Sequence, residues 1–401
     1  MTKKSNNTSS TSNVQRTIVS VVSGVVIIII VLIAQALGID VLPQESGSTA
    51  IPAATTAPTL APTKVAMGSS ALLAIPGGYD GNWFQVYFTD PINSTDEADF
   101  TDAPIEEALV KALDSAQTSI DAAFFELNSQ PVTDALIRAQ ERGVTVRVVA
   151  DDEHGLEDPE STFDQLELAD IEVVSDERSG LMHDKFVVID SMYVWTGSTN
   201  ITHNGMYNNN NNSMLIRSSK LAANYSAEFE EMFSQGGFGK TSDVTIANAV
   251  ITVEGTQIET IFESEGNAPA RLIELIKNAH SVRFMAFSFT RDDMFQPMLA
   301  NPNLDIMGIV EASSRSYIEP LYCGNVNVRQ DGNPDILHHK VFIFDESIVV
   351  MGSFNFSSSA ADNNDENLLI IHNLDLAQAY LEEFDRRWAE AEEMPASAFD
   401  C

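Results

Sequence analysis

Residues 183 to 200 read HDKFVVIDSMYVWTGSTN. His183 and Lys185 stand two apart at the head of an apolar run, and on an extended strand that spacing turns both side chains to one face. An imidazole and an ammonium presented together suit acid-base work on an anionic ligand. Gly197, Ser198 and Asn200 close the run. A Gly-Ser-x-Asn turn adds a hydroxyl and an amide, and its glycine lets the backbone come close to what it binds. Taken alone, none of this is specific. A histidine at a strand end is more often a satisfied polar group than a catalyst, and Gly-Ser is an ordinary turn.

The stretch occurs twice. HHKVFIFDESIVVMGSFN, residues 338 to 355, sets His338, Lys340, Asp345, Gly352, Ser353 and Asn355 in register with His183, Lys185, Asp190, Gly197, Ser198 and Asn200. The same offset carries Tyr225, Phe229 and Phe233 onto Tyr380, Phe384 and Trp388, an apolar stripe at helical spacing. Duplication of a fold preserves apolar positions. Here the polar ones repeat while the apolar residues between them vary, so the chain reads as two homologous halves, 78–245 and 250–395.

The elements that must position these groups alternate. FQVYF reads as a strand, followed by a helix opened by Pro104 with Ile105, Ala108, Leu109, Ala112, Leu113 and Ala116 on one side. SIDAAFFEL reads as a buried strand, then come a helix through Val132, Leu136 and Ala139 and the strand TVRVVA. RLIELIKNAHSVRFMAFSF repeats the order of helix and strand in the second half. Such alternation predicts an α/β fold with helices covering a sheet.

With both copies complete, the sequence resembles the phospholipase D superfamily, whose signature is HxK, four residues, Asp, six residues and GSxN. The resemblance spans residues 83 to 392. It implies two α/β/α sandwich halves packed with pseudo-twofold symmetry around one phosphodiester site. His183, Lys185, Asn200, His338, Lys340 and Asn355 are then catalytic, with Ser198 and Ser353 as phosphate-binding groups and neither metal nor cofactor. One histidine attacks phosphorus while the other protonates the leaving alcohol and then activates water. Asp190 and Asp345, five residues beyond their lysines and so on the opposite face, are expected to be structural, with Gly197 and Gly352.

The halves differ at one informative position. NNDENLLI places Glu366 where the superfamily commonly puts a carboxylate that orients the histidine, whereas NNNNNSMLI has Asn211 there. An anion favours imidazolium and an amide does not, so Glu366 is expected to serve His338 as the acid and to leave His183 as the nucleophile.

Composition narrows the substrate. The 401 residues carry 58 acidic against 22 basic side chains, a net charge of −36, which repels polyanions and makes nucleic acid a less favoured partner. Ile18 to Leu37 bears no charge over about the 20 residues a membrane helix needs, and Lys3, Lys4 and Arg16 precede it. It reads as a single-pass anchor (18–37) behind a cytoplasmic tail (1–17), or as a signal segment cut near Ala36, followed by a Pro/Thr/Ala-rich linker (38–77). Both readings place the catalytic region outside the cytoplasmic membrane.

Cys323 and Cys401 lack zinc-site spacing and are able to pair only in an oxidising compartment, a question their positions leave open. His154, His203, His280, His339 and His372 have no matched partner, and Asp151-Asp152-Glu153 reads as a solvated acidic loop. The reading is a phospholipase D-type hydrolase or transferase acting on phospholipid or another phosphodiester, membrane-tethered, and monomeric because one chain holds both half-sites. An exported metal-independent endonuclease and a catalytically weakened binding protein are the alternatives.

Overall fold

Lys185–Ile189 (KFVVI) and its repeat Lys340–Phe344 (KVFIF) are apolar without alternation after their lysines, and every residue of both is buried. A strand covered on both faces has that composition. Both sit at the middle of a nine-stranded mixed sheet. The computed structural model describes residues 72–92, 100–101, 103–242, 246–263 and 266–401. The apolar segment Ile18 to Leu37 and the linker lie outside them. Among the described residues no helix is long and apolar enough to cross a membrane.

The first sheet contains β1 (Leu73–Ile75), β2 (Gly78–Asp80), β3 (Phe84–Phe88), β4 (Ser119–Phe124), β5 (Thr145–Ala150), β6 (Glu172–Ser175), β7 (Lys185–Ile189), β8 (Tyr193–Gly197) and β9 (Asn212–Arg217). Their order is β1-β2-β3-β9-β8-β7-β4-β5-β6. The second contains β10 (Val250–Val253), β11 (Thr256–Glu263), β12 (Ser281–Ala286), β13 (Asp305–Val310), β14 (Asn327–Gln330), β15 (Lys340–Phe344), β16 (Ile348–Gly352), β17 (Glu366–His372) and β18 (Glu392–Glu393), ordered β10-β11-β17-β16-β15-β12-β13-β14-β18. From β3 to β6 and from β11 to β14 the two orders coincide, and β18 adds an edge strand to the second sheet alone. In each sheet the strand after the first long helix pairs parallel with its successor and antiparallel with the strand that begins at the motif lysine.

Helices Pro104–Ser115 and Gln130–Glu141 cover one face of the first sheet around Leu109, Leu113, Val132 and Leu136. Helices Ala268–Asn278 and Asp292–Ala300 do the same for the second around Leu272, Ile276 and Phe295. A third apolar cluster joins the halves, and the repeated stripe lies within it. Tyr225 and Phe229 of helix Ser219–Glu230 share it with Tyr380 and Phe384 of helix Leu374–Glu390. Cys323 and Cys401, left open by the sequence, form a disulfide with Cα atoms 5.5 Å apart.

The signature aspartates sit far from their lysines. Five residues of strand separate them, roughly 17 Å. Asp190 adopts a left-handed φ of 52° at the end of β7, and its carboxylate accepts the backbone N–H groups of Thr118 at 2.7 Å and Ser119 at 3.1 Å. Asp345, with φ of 49°, accepts those of His280 at 2.7 Å and Ser281 at 2.8 Å. Each one fastens the hairpin to the start of the neighbouring strand, and these bonds pull both carboxyls below the ordinary range against the opposing effect of burial.

Candidate active site

The backbone before each histidine is paired with the opposite half. Met182 forms a parallel bridge with Asp365, the His183 N–H donates to the Asp365 carbonyl at 3.0 Å, and the Asp365 N–H donates to Leu181 at 2.9 Å. Reciprocally, Leu337 bridges Asn210, the His338 N–H donates to the Asn210 carbonyl at 2.9 Å, and the Asn210 N–H donates to Ile336 at 2.8 Å. Arg178 ties the first of these bridges down through the Asp365 carboxylate and the Asn363 carbonyl.

This pairing overturns the expectation that Glu366 serves the histidine of its own half. One residue past Asp365, its Oε2 lies 2.8 Å from Nδ1 of His183, while Oδ1 of Asn211 lies 2.9 Å from Nδ1 of His338. Sequence equivalence of the halves carries no information about which half a side chain reaches into. An ionised carboxylate only accepts, so Nδ1 of His183 carries its hydrogen. The Asn211 amide nitrogen donates to the Gly205 carbonyl at 3.0 Å, which fixes Oδ1 toward His338 and gives that ring the same tautomer. Nε2 of each ring then carries the lone pair.

The two sockets are built for their occupants. Both oxygens of Glu366 accept, from His183 and Ser353 on one side and from the Asn364 amide at 3.1 Å on the other. Asn211 instead meets a donor, the Ser198 hydroxyl at 2.8 Å, and an acceptor, the Gly205 carbonyl. The amide is therefore accommodated, not a vestige of a lost carboxylate.

Ser198 and Ser353, read as phosphate-binding, have a different position. Both are fully buried, and each hydroxyl spends its one hydrogen on Asn211 or Glu366 (2.8 and 2.7 Å) while accepting the N–H of Asn212 or Asn367. A hydroxyl so engaged has no hydrogen left for a phosphate oxygen. The serines orient the groups that orient the histidines. Gly197 and Gly352 make room for this arrangement, because a Cβ on either would lie 2.2 Å from the carbonyl of Asn212 or Asn367.

Lys185 and Lys340 each donate from Nζ to the carbonyl of their own motif histidine, at 2.7 and 2.9 Å. The wall behind them leaves no signal in the sequence. Phe125 lies edge-on to His183 with centroids 4.8 Å apart and 4.6 Å from the Lys185 ammonium, and Phe287 repeats this with His338 at 4.9 Å and Lys340 at 4.7 Å. Both phenylalanines look like core positions in an apolar strand. Histidines and lysines are only 2 to 6% exposed, whereas Asn200 and Asn355 are half-buried and form the open rim.

Further hydrogen bonds behind the histidines cross between the halves. The residue inside each HxK reaches an asparagine opposite, Asp184 to Asn367 at 2.6 Å and His339 to Asn212 at 2.9 Å, and Tyr225 and Tyr380 bond the same asparagines. His339 is thus a satisfied buried histidine, held also by Glu383 at 3.2 Å. Asp151 is not solvated as read from the sequence. It is buried, and it accepts the N–H of Met182 at 3.0 Å, as Glu311 accepts that of Leu337 at 2.9 Å. Asp152 and Asp176 lie beside it, but its carboxylate is already engaged by Met182 and His154, and Asp176 by Asp152 and Arg178.

Burial dominates the electrostatics. It pushes both imidazoles well below their ordinary value, and the two lysines push them further. It lowers Lys185 to about 8 and Lys340 well below the usual ammonium range, the latter helped by repulsion from Lys185. Burial also raises the Glu366 carboxyl to about 7 against Lys185, Ser353 and Asn364, which favour its ionised form. The site holds crowded cations and neutral imidazoles, a field that one bound anion relieves.

Comparisons with known proteins show the family of the chain. The family described as cardiolipin synthase, PLD-like domain, matches residues 109–233 and 272–388. The chain belongs to that family, and with it to the phospholipase D superfamily. Over 135 residues it is 33% identical to the mitochondrial cardiolipin hydrolase of Xenopus laevis, covering 34% of this chain and 63% of that one. Over 117 residues it is 36% identical to a phospholipase D of Rickettsia prowazekii (strain Madrid E), covering 29% and 57%. The chain spans less than two thirds of the length of these curated relatives. The crystal structure of a phosphatidylserine synthase from Haemophilus influenzae Rd KW20 superposes with a TM-score of 0.60 at 14% identity, covering 78% of this chain and 91% of that one, a likeness of fold.

Proposed function

We propose that the protein is a phosphodiesterase of the phospholipase D type that hydrolyses or transfers phosphatidyl groups through a phosphohistidine. The observation that carries this is the reciprocal arrangement of two histidine-lysine pairs, each imidazole oriented at Nδ1 by the other half. His183 is the nucleophile. The Glu366 carboxylate at its Nδ1 stabilises the cationic ring that forms when Nε2 bonds to phosphorus. His338, neutral in the empty site, takes up a proton at Nε2 when the bound phosphate relieves the cationic field; beside an uncharged amide it gives that proton up readily as acid toward the leaving alcohol, then acts as base toward water. The roles are those expected from the sequence, but the reason is inverted, because the anion stands behind the nucleophile. Lys185, Lys340, Asn200 and Asn355 neutralise and position the phosphate oxygens.

Three features favour a lipid over a nucleic acid. The acidic field opposes polyanions, the relatives include a cardiolipin hydrolase and a phospholipase D, and the apolar segment read at the amino end would hold the enzyme at a membrane. Vesicles of phosphatidylethanolamine, phosphatidylcholine, phosphatidylglycerol and cardiolipin, assayed beside plasmid and single-stranded DNA, test this. Release of phosphatidic acid with intact DNA is expected, and digestion of DNA with intact lipids would refute the lipid substrate.

The pH profile follows from the same groups. kcat/KM reports the free enzyme, in which the acid must hold its proton and Lys185 its charge. Both histidines ionise below the ordinary 6.5, whereas the Glu366 carboxyl, which must be ionised, is raised to about 7, so kcat/KM is expected to peak between the lowered His338 value and about 7. It falls as pH rises further, more steeply once Lys185 deprotonates near 8. A profile that climbs through neutrality contradicts this assignment.

A further inference from the structure

Two parallel bridges place equivalent residues beside the two rim asparagines. Leu127 pairs with Ile201 in the first half and Phe289 with Phe356 in the second. The residues just before them, Glu126 beside Asn200 and Ser288 beside Asn355, therefore occupy matching positions. The halves differ sharply there. The Glu126 carboxylate accepts the Asn200 amide at 2.5 Å; burial raises this carboxyl above its ordinary range, while Lys185, the Asn200 amide and His154 favour its charge. In the second half a neutral hydroxyl residue stands in its place.

A carboxylate at the rim of a phosphodiester site is unfavourable for an anionic ligand unless the ligand brings a compensating charge. Glu126 is half-buried and so reachable, and it meets one amide and longer-range charges, with no lysine or arginine in an ion pair with it among the described residues. We infer that Glu126 is a specificity residue that receives the ammonium group of a phosphodiester carrying one, an ethanolamine-type headgroup, next to the phosphate held by Lys185 and Asn200. This rests on the phosphodiesterase reading of the site and deepens it. The surrounding chain agrees, since Asp152, Glu153, Glu157 and Asp158 follow on the segment whose His154 stacks on Phe125 at 5.1 Å, and an acidic surround attracts a cationic group.

The test compares kcat/KM on vesicles of phosphatidylethanolamine and of phosphatidylglycerol, with bis(p-nitrophenyl) phosphate as a diester without headgroup. Glu126→Gln keeps an oxygen that can accept from Asn200 and removes only the charge. Glu126→Ser copies the second half. The wild-type chain is expected to prefer the ethanolamine lipid, and the ratio of the two lipid values to fall roughly tenfold in Glu126→Gln, the scale of one charge-assisted hydrogen bond. An unchanged ratio, or an equal loss on all three substrates, assigns Glu126 to positioning Asn200 and overturns the inference. A wild-type chain that cleaves the nitrophenyl diester but neither lipid refutes the lipid reading instead, and one inactive on all three refutes the phosphodiesterase.

Discussion

His183→Asn and His338→Asn are each expected to lower steady-state kcat/KM on a phospholipid by about 10⁴-fold or more, because each removes a group that must act in the rate-determining sequence. The two variants part company when the leaving group no longer needs a proton. With bis(p-nitrophenyl) phosphate, His338→Asn keeps its nucleophile and loses the base that activates water. It is expected to release one burst of p-nitrophenol per site and then stall, whereas His183→Asn shows no burst. Equal bursts from both variants, or none from either, would refute the division of labour.

Glu366→Gln is the second large effect. Both oxygens of Glu366 receive donors, so a glutamine must turn its N–H₂ toward the Asn364 amide or toward His183 and Ser353. In the second orientation Nδ1 becomes an acceptor and the ring proton moves to Nε2, the attacking atom. A fall in kcat of roughly 10²- to 10⁴-fold is expected, with burst formation slowed in proportion. Asn211→Asp changes the other socket. It sets an anion against His338 and favours imidazolium, so the peak of kcat/KM is expected to move to higher pH. If Glu366→Gln leaves the burst rate intact while slowing only turnover, the carboxylate serves the acid and not the nucleophile.

Much of the site was legible because the duplication repeats polar positions, which packing alone does not explain. The repeat fixed the histidine-lysine pairs, and strand parity separated Asp190 and Asp345 from them. The exchange of Glu366 and Asn211 between halves was not legible. It follows from two short backbone bridges, Met182 with Asp365 and Leu337 with Asn210, that leave no trace in either copy of the motif. Phe125 and Glu126 look in sequence like the tail of a buried strand, SIDAAFFEL, but β4 ends at Phe124 and the chain then turns toward the rim of the site. The place of Ser198 and Ser353 is hidden for a different reason. A hydroxyl in a Gly-Ser-x-Asn turn can face a ligand or a neighbouring strand, and only the register of β8 with β9 and of β16 with β17 decides which.

The claim that His183, backed by Glu366 from the other half, attacks phosphorus is tested most directly by locating the covalent adduct. His338→Asn, mixed with bis(p-nitrophenyl) phosphate, quenched in base and digested, is expected to carry the phosphoryl group on the peptide containing His183, and the double variant His183→Asn/His338→Asn to carry none. An adduct recovered from His183→Asn on the peptide containing His338 would contradict the claim and reverse the two roles.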